Sequence, residues 1–103
     1  PDYDPALYVH KKSKTTLENA LTSLQAILPV LEGLTVWTNE SLYEALVALA
    51  AKLEVKNSII LWPLRVAVSG KASTPGGATE ICALLGKQES IDRVIRGIEL
   101  LGK

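Results

Sequence analysis

The 103-residue chain has no methionine and no phenylalanine, one histidine and one cysteine. Each scarcity excludes something. A lone cysteine, Cys82, cannot close an internal disulfide, so a reducing compartment is expected. Neither Cys-x-x-Cys nor His-x-x-x-His occurs, so the spacing of a zinc site is missing. Formal net charge is also absent, since 11 Lys and Arg face 11 Asp and Glu. A polybasic nucleic-acid arm is thereby excluded, and so is a disordered acidic or basic tail. The longest apolar run, from Ile59 to Leu64, is interrupted by Pro63 and followed by Arg65. That is far short of the roughly 20 apolar residues of a membrane span. The first residues, PDYDPALYVHKK, lack the basic-then-apolar order of a signal peptide. A cytoplasmic location and no membrane partner are the expectations. The missing Met leads us to expect a piece of a longer protein, with Pro1 at a trimmed boundary.

What is present is apolar material. Hydrophobic residues make up 48% of the chain, enough for one domain with its own core. Charge is also polarised beneath the zero. Residues 1–55 carry four cations and seven acids, and residues 56–103 carry seven cations and four acids. Between Val55 and Thr79 there is no carboxylate, while Lys56, Arg65 and Lys71 are present. Such a stretch suits a phosphate chain, although uneven scatter of charge over helix faces produces the same count.

Periodicity predicts helices throughout. Asp4-Pro5 reads as a helix start, with a short helix near 5–12. Thr15-Thr16-Leu17-Glu18 reads as a capping box, followed by Leu17, Leu21, Leu24, Leu28 and Leu31 at helical spacing. Pro29 is expected to bend this helix or end it near 28. Ser41 to Glu44 forms a second box, with Thr38 an alternative cap, before a stripe of Leu42, Leu46, Leu49, Ala50 and Leu53. A short helix over 78–85 ends at Gly86. The last helix carries Ile91, Val94, Ile95, Ile98 and Leu101, with Glu89–Arg93, Asp92–Arg96 and Glu99–Lys103 as acid-before-base pairs. The segment Ser58–Gly70 stays open. Its β-branched residues suit a strand, Pro63 does not, and Ile59, Trp62, Val66 and Ser69 would share a helical face. No other strand offers a partner, so an all-α fold is expected, a small bundle of about five to six helices.

Catalytic chemistry has little support. His10 lies beside Lys11 and Lys12 and reads as a solvated surface residue. Cys82 lies in ICALL and reads as a small buried hydrophobe. Gly70-Lys71-Ala72-Ser73 is similar to the end of a P-loop, but the first glycine would fall at Arg65 and the hydroxyl residue at Ala72. Lys11-Lys12-Ser13-Lys14-Thr15 is similar to the KMSKS loop of class I aminoacyl-tRNA synthetases, yet no HIGH-type motif accompanies it. No ATP site is expected in the chain.

One constellation is more informative. Trp62-Pro-Leu-Arg-Val-Ala-Val-Ser-Gly70 is followed by Lys71-Ala-Ser-Thr-Pro-Gly76 and then by Leu84-Leu-Gly-Lys87. In order and spacing, without a gap over 62–102, it resembles the C-terminal anticodon-binding domain of bacterial glutamyl-tRNA synthetase. Upstream, YDPALYVHKKSK and the two capped helices resemble the same family more loosely. The resemblance implies a helix for most of 59–69, with leading helices over 1–57 and anticodon-reading helices and loop over 58–103. It implies a parent enzyme joining glutamate to its tRNA with ATP and magnesium, and a chain that itself holds neither and does not catalyse. The implied partner is glutamate tRNA, not DNA, bound by a monomer.

Glutamate anticodons end in U and C. Arg65 matches the family arginine that contacts an anticodon base, and its fork of donors suits the O2 and N3 acceptors of cytosine. Thr74, Pro75 and Gly77 match the base-reading loop, and Lys71 is placed to neutralise a phosphate. Gly77-Ala78 replaces the bulky apolar pair of many members, which shifts that contact towards the backbone. Against these roles, Arg65 could instead pair with Glu54 or Glu80. Trp37 and Trp62 read as core or semi-buried residues rather than stacking platforms. A different class of function, a helical module docking a protein partner, remains as the alternative.

Overall fold

The computed structural model describes residues 3–71 and 73–102. Among them are five α-helices and no strand: α1 (Leu17–Gly33), α2 (Asn39–Leu53), α3 (Asn57–Ser69), α4 (Ala78–Leu85) and α5 (Lys87–Leu101), preceded by a short 3-10 helix at Pro5–Tyr8. The pair Glu99–Lys103 lies partly outside the described residues, because Lys103 does.

The open segment resolves as α3, and its proline shows how. Pro63 has no N–H, so the carbonyl of Ile59, four residues back, loses its helical partner. The Ser23 hydroxyl of α1 donates to that carbonyl at 2.8 Å. A helix thus keeps its proline because a neighbour fills the orphaned acceptor. Six residues of α3 are buried: Ile60, Pro63, Leu64, Val66, Ala67 and Val68. Burial on nearly every side, rather than on the single face predicted, marks α3 as the central helix. It packs against α1, α2, α4 and α5.

Pro29 does not end α1 near 28, since α1 runs on to Gly33. Pro29 and Gln25, whose carbonyl it leaves unpaired, are both exposed, so water can serve that carbonyl. The helix starts one residue later than predicted. Thr16, not Thr15, caps it, accepting from the Asn19 N–H at 3.1 Å while Asn19 Oδ1 accepts from the Thr16 N–H at 2.8 Å. Thr15 is otherwise engaged: its N–H and carbonyl pair with His10 at 3.1 and 3.3 Å. Of the two starts considered for α2, Thr38 is the cap, paired reciprocally with Ser41. The first helix is shorter than predicted, ending at Tyr8 rather than near 12.

The core is continuous. Leu24, Ile27 and Leu31 of α1, Leu42 and Leu46 of α2, Ile60 and Leu64 of α3, Cys82 of α4 and Val94 of α5 all join it. Each fully buried large aliphatic side chain contributes roughly 1.5–3 kcal/mol relative to exposure. The radius of gyration is 12.1 Å, close to the ~13 Å of a single folded unit of about 100 residues.

Two cations of the C-terminal half are spent on helix ends. Lys87 donates to the carbonyls of Glu32 and Leu34 at 3.0 and 2.7 Å, closing the C-terminus of α1. Arg93 pairs with Glu89 at 2.7 Å and donates to the Val68 carbonyl near the end of α3 at 2.6 Å. Among the described residues, no helix is long and apolar enough to cross a membrane.

Candidate nucleic-acid interface

Between the N-terminal segment, α2, α3 and the start of α4 lies an open cleft of about 610 Å³. Its lining includes His10, Tyr43, Trp62, Arg65, Gly77 and Glu80. Arg65 and Gly77 therefore reach one cleft, although a loop and the end of a helix separate them in the chain. Thr74, Pro75 and Lys71 belong to the connecting loop and are not part of the cleft wall. Lys71 and Pro75 are exposed and Thr74 is half-buried. The Thr74 hydroxyl donates to the Gly76 carbonyl, a short side-chain turn that folds the loop ahead of α4.

The wall is built by local rules. Gly70 closes α3 with a φ of 69°, in the left-handed region, its N–H bonded to the Val66 carbonyl at 2.7 Å. The chain then turns and re-enters a helix at α4. There the Glu80 carboxylate accepts the Gly77 N–H at 3.1 Å, satisfying one free donor of the first turn and favouring the helix dipole. Beside it, the Thr79 hydroxyl donates to Asn39 Oδ1 at 2.6 Å, tying α4 to the start of α2.

Arg65 is half-buried, with its guanidinium carbon 5.8 Å from the centroid of the Trp62 ring. That is a cation–π distance. Among the described residues Arg65 forms no ion pair and no side-chain hydrogen bond, so neither Glu54 nor Glu80 holds it. Its donors are available to a ligand. Trp62 and Trp37 are both half-buried, and both indoles are committed: Trp62 Nε1 donates to the Leu7 carbonyl at 3.0 Å and Trp37 Nε1 to the Cys82 carbonyl at 2.8 Å.

His10 departs from the expectation of a solvated side chain. It is half-buried and stacks on Trp62, with centroids 3.8 Å apart and planes 11° from parallel. Sequence reasoning missed this because no periodic pattern connects the turn after the first helix with the middle of α3. Asn39, Tyr43 and Thr79 were likewise not marked as site residues by any motif.

Cys82 is fully buried, as its apolar neighbours suggested. Burial pushes its thiol up to about 11, partly offset by a hydrogen bond involving Ser90. A folded value above the ordinary 9.0 means that the fold holds the proton more tightly than the unfolded chain does. Its stabilisation is therefore complete below about pH 9 and disappears as the pH rises through about 11. Burial also raises Tyr3 and Tyr8, which act in the same direction. Urea midpoints are expected to fall between pH 9 and pH 11, and Cys82→Ala to flatten part of that fall. Among the described residues, no three His, Cys, Asp or Glu side chains gather as a metal-ligand group.

The all-helical bundle thus presents an arginine unpaired among the described residues in an open cleft, beside Gly77 at the start of α4. The sequence profile of the family described as "Anticodon binding domain" matches residues 1–98, and the chain belongs to that family. Among similar proteins is a glutamate–tRNA ligase of Clostridium tetani (strain Massachusetts / E88), 54% identical over 101 residues, covering 98% of this chain and 21% of the relative. A glutamate–tRNA ligase of Clostridium botulinum (strain Hall) is 53% identical over 100 residues, and one of Clostridium kluyveri is 50% identical over 101 residues, each again covered over 21% of its length. The chain thus spans about a fifth of the length of these relatives.

Proposed function

We propose that the chain is the anticodon-reading part of a glutamate–tRNA ligase and that its cleft takes bases of the anticodon loop of glutamate tRNA. The observation that carries this reading is the meeting of Arg65 and Gly77 in one cleft, in a chain whose relatives are glutamate–tRNA ligases. RNA sequence is read chiefly on single-stranded loops, whose splayed bases expose their edges. The unpaired fork of Arg65 suits two adjacent base acceptors. Thr74 and Pro75 set the approach of the loop to the cleft, and Lys71 serves a phosphate. ATP and magnesium belong to the ligase reaction, which we assign to parts of the ligase other than this module. The module acts in the cytoplasm and as a monomer on this reading.

The test is a titration of the chain with a glutamate anticodon stem-loop and with an unrelated stem-loop, each at two salt concentrations. The glutamate loop is expected to bind more tightly, and both affinities to fall with salt as phosphate contacts release counterions. Equal or salt-insensitive binding of the two loops overturns the reading.

A further inference from the structure

The reading above leaves His10 without a role, yet the fold fixes the orientation of this side chain through its backbone, its ring face and Nδ1. Its N–H and carbonyl are paired with Thr15. Its ring lies flat on Trp62. Its Nδ1 is 3.2 Å from the Ser13 N–H and 2.8 Å from the Ser13 hydroxyl. A backbone N–H can only donate, so Nδ1 accepts, and in the neutral ring the proton sits on Nε2. Among the described residues, Nε2 has no protein partner, and His10 lines the cleft. Nε2 is not among the buried atoms left without a partner, so it opens to solvent as a pre-oriented donor that can exchange water for a ligand.

Arg65 supplies the second set of free donors on the same wall, linked to His10 through Trp62, which both approach. Two donors alone would suit a phosphate as well as a base. The Glu80 carboxylate, which also lines the cleft, decides between them: it would repel a phosphate but accept an N–H of a base edge. Leu61 and Ala78 add apolar surface to the lining. We infer that His10 is a base-contacting residue, donating its Nε2–H to a carbonyl oxygen of an unstacked anticodon pyrimidine held beside Arg65. The inference rests on the anticodon-reading function proposed above and adds a specificity residue to it. Both pyrimidines, U and C, carry the O2 carbonyl that this donor needs.

His10 is the only histidine, so its ring nitrogens give unique signals in a 15N spectrum. On titration with the glutamate anticodon stem-loop, the Nε2 signal is expected to shift and to saturate along the same curve as binding followed by fluorescence anisotropy of the labelled RNA. A loop whose anticodon pyrimidines are replaced by adenine, which has no carbonyl, is expected to leave Nε2 unshifted. His10→Phe keeps an aromatic ring on Trp62 and removes the donor. It is expected to weaken the glutamate loop about tenfold and the adenine-substituted loop hardly at all. If His10→Phe fails to give the native helical circular dichroism, the spectrum of the unsubstituted chain decides alone. An unmoved Nε2 in a chain that binds and discriminates the loops overturns the role of His10 and leaves anticodon reading standing. Equal weakening of both loops by His10→Phe also overturns it, because that is the signature of a phosphate contact. Absence of binding to any loop overturns both.

Discussion

Gly97→Val is expected to cost the fold about 3 kcal/mol and to lower its melting temperature by more than about 10 °C, measured by circular dichroism with urea and with heat. Gly97 is buried in the middle of α5, where glycine costs about 1 kcal/mol relative to alanine. Packing explains its presence. A Cβ at this position would lie 2.7 Å from the Tyr8 hydroxyl oxygen, 3.0 Å from Leu24 Cδ1 and 3.4 Å from Ala67 Cβ. These atoms belong to the 3-10 helix, α1 and α3, so three elements close on α5 at a point without a side chain. Tyr8 cannot easily move aside, because it is fully buried and its hydroxyl is hydrogen-bonded to that of Tyr3. Valine adds two methyl groups beyond the Cβ, and overpacking of this kind costs about 1–3 kcal/mol through off-rotamer side chains and backbone shifts. The damage extends towards the cleft, since the residue before Tyr8, Leu7, holds the indole of Trp62 through its carbonyl. A loss below about 1 kcal/mol would show that the 3-10 helix yields and that the crossing is less tight than the distances require.

The same crossing shows which parts of the structure the sequence discloses. The leucine stripe of α1, the stripe of α2 and the three-and-four spacing of α5 each report a buried helix face, because local periodicity and burial have one cause, although Leu17 and Leu53 at the stripe ends and Ile95 of α5 are exposed. Helix α4 and its stop at Gly86 follow from a short apolar run and a residue at a φ of 87°. What remained illegible depends on partners distant in the chain. Periodicity left Ser58–Gly70 open between helix and strand, and the resemblance implied the helix that α3 shows; how that helix accommodates Pro63 depends on Ser23, which no window along α3 contains. The cap of α1 moved to Thr16 because His10 occupies Thr15. For the cleft, the motif Trp62–Gly70 and the loop to Gly77 marked Arg65 and Gly77 by resemblance. Only the three-dimensional arrangement separates the motif's lysine Lys87, which closes α1, from residues free to meet a ligand. His10 is the converse case, a residue without a motif that the fold sets beside Arg65.

Arg65→Ala is expected to lower the affinity for the glutamate anticodon stem-loop about tenfold or more, within the roughly 1–3 kcal/mol that a two-donor contact to a base commands. Binding of an unrelated loop should change little, so the ratio between the two is the measurement that matters. The fold should survive. Arg65 has no ion partner and no side-chain hydrogen bond among the described residues. Its approach to Trp62 at 5.8 Å is worth about 0.5–1 kcal/mol at a partly exposed site. Helical circular dichroism should therefore be unchanged, with the urea midpoint only slightly lower. Arg65→Lys separates charge from geometry. Lysine keeps the cation that draws in the phosphate chain but not the planar fork, so affinity should recover in part while discrimination between loops stays low. Loss of helical dichroism in Arg65→Ala would assign the arginine to the scaffold. Unaltered discrimination in both variants would take it out of base reading and leave the cleft's specificity to its other polar groups, His10 Nε2, the Glu80 carboxylate and the backbone at Gly77.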